Sequence, residues 1–567
     1  MGYTSLWLLR QGGSCLAETP FAKREGVALQ RRDFLKAAVG ALALPSLGGL
    51  VGCRGVDPLP PESGWWGGEV AHLLPTVSHE RLLLKASFRS PPQAPRLLVA
   101  GRAIAGEATD SSGRFFRFLA GGLEPETGYR LELRDADGAS LCDPWPLRTF
   151  PAPGRLPKRF RLLAYTCAGG SDLFLHPTQG FLFQPTGVRQ RLLRRALDFE
   201  PDAAIANGDH IYWDIRSRPG IAMARSPQAW WAAGRFDRSQ PILGTPNERV
   251  LHRAFGPQIA ELYGTRFRSL PMFFLQDDHD YTENDEANER FRTFPPDAFM
   301  RAVATTTQRI YYPELLASRG LPSGRVSADG LSPHVAALRF GRLFEGLLYD
   351  CRRFVTNRRD PARHDPRSAF LPPDVEAWLL ARTARSDAVY GAHVPSTPIL
   401  WTAGKWGEWY PDTQDAEGRL RTDIDKPWWP QGWLAQHDRL VAAASARRDR
   451  LPLFVSGDLH ATAAGRLLRT DEIDLRANPV VSVLSGTPGS AGPSWPSHFR
   501  GQKPVPSGVI EAEEWIAPIE ENGFTLLDFE AEGVRLSFFR WRPEQGVEAI
   551  ATLTPFRTLE LPRSQTV

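Results

Sequence analysis

Acidic, thiol, phenol and imidazole side chains recur in this chain just after short apolar runs, and those donor types together can hold metal ions. Asp202 to Asp214 reads DAAIANGDHIYWD: the apolar run Ala203 to Ala206 ends at Asn207, Gly208 and Asp209, with Tyr212 close behind. Such a run predicts a buried parallel strand opening into a loop. A carboxylate at its carboxyl end stands where open α/β sheets keep their ligands. Three further segments follow the same grammar. RLLAYTCAGG (161–170) puts Cys167 at a strand end, PMFFLQDDHDYTEN (271–284) ends in Asp277, Asp278, His279 and Asp280, and LPLFVSGDLHAT (451–462) ends in Gly457, Asp458 and His460. These strand ends predict one shared metal site. Each residue also has a plainer reading: Asn-Gly-Asp as a turn, Tyr212 as a core aromatic, Cys167 as packing, and His460 as a satisfied histidine beside a strand. Asp277 and Asp280 read as supporting partners or loop caps. His176, His210, His252 and His393 read as surface or supporting residues.

The elements that must position these groups are those of an α/β chain. From Arg159 onward apolar strands alternate with helical patterns: a strand to Cys167, a helix Gly187 to Phe199, a strand to Asn207, a helical stretch Val250 to Tyr263, and a strand to Gln276. Further strands are predicted at Leu347 to Arg353, Thr397 to Ala403, up to Ser456, and Val480 to Ser485, with a helix at Pro373 to Ala384. An antiparallel pair, Phe524 to Phe529 and Val534 to Trp541, follows. Residues 213–250 and the Trp-rich 404–434 read as insertions over the strand ends. The chain has no internal repeat and no low-complexity tract.

Ahead of this region, residues 65–153 alternate in short strands, among them Arg81 to Phe88, Pro95 to Val99, Phe115 to Leu119 and Tyr129 to Leu133. Leu123 to Tyr129, reading LEPETGY, resembles the loop before the sixth strand of fibronectin type III domains, which implies a small β-sandwich. PAPGRLP (151–157) is the linker. The predicted divisions are 1–53, 65–153, 158–545 and a C-terminal extension, 546–567.

A length of 567 residues and a 42% hydrophobic content allow a large core and more than one domain. A net charge of +4, from 68 basic and 64 acidic residues, gives no support to specific nucleic-acid binding. Arginine clusters such as Arg191 to Arg195 read as solvated helix faces. The 49 Pro, 50 Gly and 17 Trp fit a loop-rich protein with an aromatic-lined surface.

QRRDFLK (30–36) followed by the apolar run Ala37 to Val51 resembles a twin-arginine (Tat) export signal. The run is short for a membrane span. It closes in Leu50-Val51-Gly52-Cys53, similar to a lipobox whose cysteine is acylated. The expectation is therefore export by the Tat machinery to a periplasmic or cell-surface location, with a membrane anchor on Cys53. Residues 1–29 then form a long leading region or reflect a misplaced start codon. With Cys15 and Cys53 set aside, Cys142, Cys167 and Cys351 remain, so at least one is free. Cys167 is the thiolate candidate; Cys142 and Cys351 read as packed side chains or a disulfide.

In order and spacing, Cys167, GDHIY (208–212), DDHDYTEND (277–285) and SGDLH (456–460) resemble the alkaline phosphatase D (PhoD-like) branch of the calcineurin-like metallophosphoesterase superfamily, over residues 65 to about 545. The wider superfamily includes purple acid phosphatases, whose GDxxY motif is matched at Gly208, Asp209 and Tyr212. The resemblance implies an α/β fold, an αββα metallophosphatase sandwich of two mixed sheets preceded by a small all-β domain. It implies a centre of Fe(3+) and Ca(2+), with other divalent metals as alternatives. Asp209 would bridge the ions, Cys167 and Tyr212 would bind iron, and Asp278 and Asn284 would stand at the second metal. Asp458 and His460 match the two histidines of a Gly-His-x-His motif; Asp458 is a departure shared by the PhoD-like branch, and its oxygen favours calcium. His279 would contact substrate and Arg352 would neutralise phosphate charge.

The implied activity is hydrolysis of phosphate monoesters, diesters or both by metal-activated water. A phospholipase- or nucleotidase-type phosphodiesterase of the same fold is one alternative. A lipid-anchored binding protein with an inactive metal centre is another. A serine hydrolase is set aside because no GxSxG elbow is present.

Overall fold

A computed structural model of the chain describes residues 56–170, 172, 175–176, 180–181, 183–213, 234–281, 296–355, 367–402, 413–414, 420–421, 431–490 and 503–564. The expected export signal, Cys53 and Asn284 lie outside the described residues, as does much of both expected insertions.

The parallel strands predicted from the apolar runs gather into two sheets. The first has six strands in the order Met272–Leu275, Ala203–Asn207, Arg159–Tyr165, Thr525–Glu530, Gly533–Phe538 and Arg557–Pro562. Its first three strands run parallel and the rest antiparallel. The second sheet has eight strands around a parallel centre of Phe344–Tyr349, Tyr390–Pro395, Leu453–Ser456 and Val480–Ser485. The chain beyond residue 546, expected as an extension, supplies the edge strand Arg557–Pro562.

Side chains alternate across each strand, so each sheet has two faces to cover. Phe160, Leu162 and Ala164 join one cluster with Phe344, Leu348, Val394 and Val455 of the other sheet. Their neighbours Leu163 and Tyr165 point the other way, onto helices Thr186–Leu197, Pro246–Gly256 and Ala298–Tyr311 through Leu192, Phe255 and Val303. On the far side of the second sheet, Leu347 and Phe454 pack on helices Pro373–Arg385 and Gln431–Ser445 through Leu379 and Val441. The layers therefore run helices, sheet, sheet, helices.

Residues 70–148 form two further four-stranded antiparallel sheets, in which all four strands expected there are found. Tyr129 Oη accepts a hydrogen bond from Glu124 N at 2.7 Å, pinning the Leu123 to Tyr129 loop. Leu97, Phe118 and Leu131 belong to the same apolar cluster as the two large sheets. Phe150 bridges the junction, its ring 6.1 Å from Phe273 and 5.2 Å from Phe340.

Several elements escape the sequence pattern. Tyr390–Pro395, reading YGAHVP, carries Gly and Pro where a strand was not expected, yet it is hydrogen-bonded on both sides by parallel neighbours. The strand expected at Thr397 to Ala403 shrinks to Trp401–Thr402, paired with Val505–Pro506. Helix Ala298–Tyr311 contains the β-branched run Thr305 to Thr307 and was not expected. It is started by Asp297, whose carboxylate accepts from Met300 N at 3.0 Å, and it is held by tertiary burial. Helix Gln431–Ser445 begins inside the expected insertion. Cys142 and Cys351 are free, buried and in different apolar clusters, which excludes the alternative disulfide.

Phe529 sits between the sheets, with ring centroids 4.6 Å from Phe344, 5.2 Å from Tyr390 and 6.1 Å from Phe160. Phe529→Ala is expected to lower unfolding free energy by about 3–5 kcal/mol, read from the urea midpoint at constant m-value.

Candidate metal centre

Because the central strands of both sheets are parallel, their carboxyl ends lie along one edge, where the loops carrying the candidate residues emerge. Each loop must turn sharply to aim a side chain across the strand ends. Cys167, Asp209 and Asp458 meet this demand in the left-handed region, with φ of 51°, 57° and 68°. Such conformations are costly for residues with a Cβ and cluster at functional sites. Two glycines allow the loops to close up: a Cβ on Gly208 (φ 83°) would lie 2.5 Å from Asp277 Cβ, and one on Gly457 would lie 2.2 Å from Asn207 O.

Four donor types converge around Asp209. Its Oδ2 is 3.2 Å from Cys167 Sγ and 2.8 Å from Tyr212 Oη. Tyr212 Oη is also 2.8 Å from His460 Nε2, whose ring is fixed by Ser490 Oγ at 2.7 Å from Nδ1. Asp209 Oδ1 accepts from His279 N at 3.3 Å. Donor atoms within 4.8 Å of one another define three linked groups: Cys167, Asp209 and His460; Asp209, Asp278 and His279; and Asp277, Asp278 and Asp458. Asp209 joins the first group to the second, and Asp278 the second to the third. Every predicted site residue that is described falls in or against this chain of groups; Asn284 lies outside the described residues.

Arg352 is buried against the third group. Its Nε donates to Asp277 Oδ1 at 3.0 Å and its Nη2 to Asp458 Oδ2 at 2.9 Å, so the guanidinium neutralises carboxylates rather than facing open space. Asp277, read from the sequence as a supporting residue, shares the third group. Ser396 and Arg352 both donate to its Oδ1, while among the described residues its buried Oδ2 has no hydrogen-bond partner. Asp280 is the loop cap expected of it: Oδ2 accepts from Asp209 N at 2.8 Å and Asp277 N at 2.9 Å, and Oδ1 from His210 N at 2.9 Å.

Gln258 gives no sequence signal, because its role depends on a π-helical turn, Pro257–Glu261, that follows helix Pro246–Gly256. Its Oε1 accepts from Gly170 N at 2.9 Å and Tyr212 N at 2.7 Å, and its Nε2 donates to Tyr212 O at 3.0 Å. It thereby ties the Cys167 loop to the Tyr212 loop. Ser490 and Ser396 likewise became visible only when distant strands met. His210, read as surface or supporting, is buried, with Nε2 2.7 Å from Leu275 O. His393 is buried, its ring stacked 4.6 Å from Phe454. His252 belongs to a separate cluster with Asp110 and Glu248 that joins an amino-terminal loop to helix Pro246–Gly256.

The electrostatics follow from crowding. Burial and then the charge of Asp278 hold Asp209 well above the usual carboxylate range, with Asp277 and Asp280 adding to the rise. Burial pushes Asp277 up to about 7 against the pull of Arg352, and pushes Asp280 up to about 8 against its three backbone donors. Burial and the charge of Asp209 also push the Cys167 thiol and Tyr212 phenol up. Negative groups packed this closely out of water need a cation beyond Arg352 to stay ionised together. The donor set fits metal ions: sulfur, phenol and the His460 imidazole gather on one side of Asp209, and mainly carboxylate oxygen, with the His279 imidazole, on the other.

Residues 183–538 match the family of PhoD-like phosphatases. The chain belongs to this PhoD-like family. It is accordingly a phosphoric ester hydrolase. A solved structure of PhoD superposes with a TM-score of 0.58 at 14% identity, covering 89% of this chain and 92% of that one. A purple acid phosphatase, PPD1 from yellow lupin (Lupinus luteus) seeds, superposes with a TM-score of 0.51 at 11% identity, covering 87% of this chain and 74% of that one. Both are similar in fold. A search of curated proteins gives no significant match.

The raised carboxyl groups set a direction for stability. Between the ordinary value of 3.8 and the folded values of about 7 and 8, the folded chain keeps protons on Asp277 and Asp280 that the unfolded chain has released. Stability of the metal-depleted chain therefore falls as pH rises through that window. Melting temperatures of the chelator-treated protein should decline from pH about 4 to about 8, and added metal should raise them most at the alkaline end. A metal-free profile that stays level or rises would contradict this account.

Proposed function

We propose that the protein is an exported, metal-dependent phosphoesterase that hydrolyses phosphate monoesters, diesters or both. One observation carries the reading: the shared position of Asp209 and Asp278 in the linked donor groups at the carboxyl edge of both sheets. In this reading Cys167, Tyr212, His460 and Asp209 hold an iron(III), and Asp209, Asp278 and Asp458, together with Asn284, hold calcium. Bound there, the ions would neutralise phosphate oxygens and acidify water to supply a nucleophile near neutral pH.

The chain's own residues do the rest. Asp280 and Gln258 fix the loops so that the donors are aimed before substrate arrives, and Ser490 orients the His460 ring. Arg352 holds Asp277 and Asp458 in place and balances their charge. Cys167, Asp209 and Tyr212 are closed off from solvent, whereas His279, its ring 4.4 Å from the Tyr212 ring and tilted 41° to it, is only half-buried. That makes the His279 side the approach for substrate, and its imidazole the group that steadies a phosphate oxygen or protonates the leaving alkoxide.

The export reading rests on the Gln30 to Cys53 signal: Tat transport, acylation of Cys53, and a periplasmic or cell-surface location. Among the described residues no helix is long and apolar enough to cross a membrane. The two small amino-terminal sheets make up the fibronectin III-like domain of this reading, a view supported by the Tyr129 to Glu124 hydrogen bond. The layered sheets after it make up the αββα catalytic sandwich.

Two outcomes test this. The protein loaded with iron and calcium should hydrolyse p-nitrophenyl phosphate or its bis-ester, and Asp209→Asn should lower turnover by at least about a hundredfold; turnover of neither ester would overturn the activity. Cys53→Ser should move the protein from the membrane to the soluble fraction after cell lysis, and an unchanged membrane fraction would refute the anchor.

A further inference from the structure

Beyond the metal centre, the turn Asp350 to Arg353 serves a second space. Asp350 Oδ1 accepts from Arg352 N at 2.8 Å and Arg353 N at 3.0 Å, and Tyr281 Oη closes on its Oδ2. From this shared anchor the two arginines diverge. Arg352 turns to Asp277 and Asp458, while Arg353 turns to Thr305 of helix Ala298–Tyr311, its Nη2 2.7 Å from Thr305 Oγ1.

On the Arg353 side lies a cavity of about 650 Å³ lined by Arg301, Thr305, Arg325, His334, Arg353 and Phe354 among others. Its volume is in the range of small-ligand sites, about 300–1,000 Å³. No acidic residue is among the described residues that line it. Asp374 pairs with Arg325 from behind, through two contacts of 2.9 Å, and Asp350 stands behind Arg353. His334 is the telling group. The residue is 5% exposed, and among the described residues neither ring nitrogen has a hydrogen-bond partner. Buried polar atoms are rarely left so, and each costs free energy until something pairs with it. Its ring packs edge-on against Phe354, 4.7 Å away, and Phe354 in turn carries the Arg325 guanidinium 4.6 Å above its face.

Burial, then the charges of Arg353 and Arg325, hold His334 well below its ordinary value, so the ring is neutral and offers one N–H. A neutral donor between guanidinium groups, beside threonine hydroxyls and an aromatic face, suits an anion on an organic group rather than a cation. We propose that this cavity is a phosphate-binding site, separate from the metal centre, that takes a phosphate group as free phosphate or as a second phosphate of the substrate. The phosphatase reading enters only in choosing phosphate among anions.

The test is calorimetric titration of inorganic phosphate into the full-length, chelator-treated protein at neutral pH. One saturable site is expected, unchanged in Asp209→Asn and weakened about tenfold or more in His334→Leu. Thr305→Val, at the half-buried rim, is the second variant should His334→Leu not fold; it too should weaken binding. Steady-state kinetics then separate the two sources. If KM for hexane-1,6-diol bisphosphate rises in His334→Leu while that for p-nitrophenyl phosphate does not, the ligand is a tethered phosphate; if neither moves while calorimetric binding is lost, it is free phosphate. Absence of saturable binding, binding lost in Asp209→Asn, or binding indifferent to both His334→Leu and Thr305→Val would overturn the proposal. Because binding is read without turnover, that failure would leave the phosphoesterase reading standing.

Discussion

The constraint on which this structure depends is mutual repulsion among buried acids. Asp209, Asp277, Asp278, Asp280 and Asp458 crowd the end of a two-sheet core with a thiol and a phenol among them. One guanidinium, that of Arg352, is set directly against them. An assembly of this kind is not arranged for stability, since burial alone drives its members toward their neutral forms. Its organisation makes sense when cations complete it, and the surrounding backbone donors keep the acids from relaxing away from one another. Asp280 shows the method: one carboxylate binds three backbone N–H groups from two loops, and so converts repulsion into a fixed geometry.

The two-sheet architecture supplies the rigidity that this geometry requires. Strand ends from both sheets contribute donors, and the sheets are locked to each other by a continuous apolar cluster that also takes in the amino-terminal sheets. Left-handed backbone at Cys167, Asp209 and Asp458 is sustained because each loop is hemmed in by another: Gly208 against Asp277, Gly457 against Asn207. The division of chemistry across Asp209, softer donors toward Cys167 and hard oxygen toward Asp458, is not a division between sheets: His460 joins the first set and Asp458 the second from the eight-stranded sheet, and the remaining donors come from the six-stranded one.

The turn from Asp350 to Arg353 links the centre to its surroundings. A single carboxylate orients two consecutive arginines in opposite directions, one into the acid cluster and one into the cavity beside His334. Two anion-handling environments are thus built from one short segment.

The amino-acid sequence by itself determined the donor groups and the strands that carry them. Short apolar runs that end in Asp, Cys or His are local patterns, and the motifs they form were legible together with the family they resemble. The N-cap Asp297, by contrast, starts a helix whose threonine run hides it, and Tyr390–Pro395 is a strand because its neighbours make it one. Tertiary structure alone decided that Asp277 joins the candidate donor groups, that Gln258 ties two loops through a π-helical turn, that Arg352 faces carboxylates, and that His334 lines a cavity. Each of these depends on contacts between residues far apart in the chain, and periodicity, which reports only on near neighbours, carries no information about them.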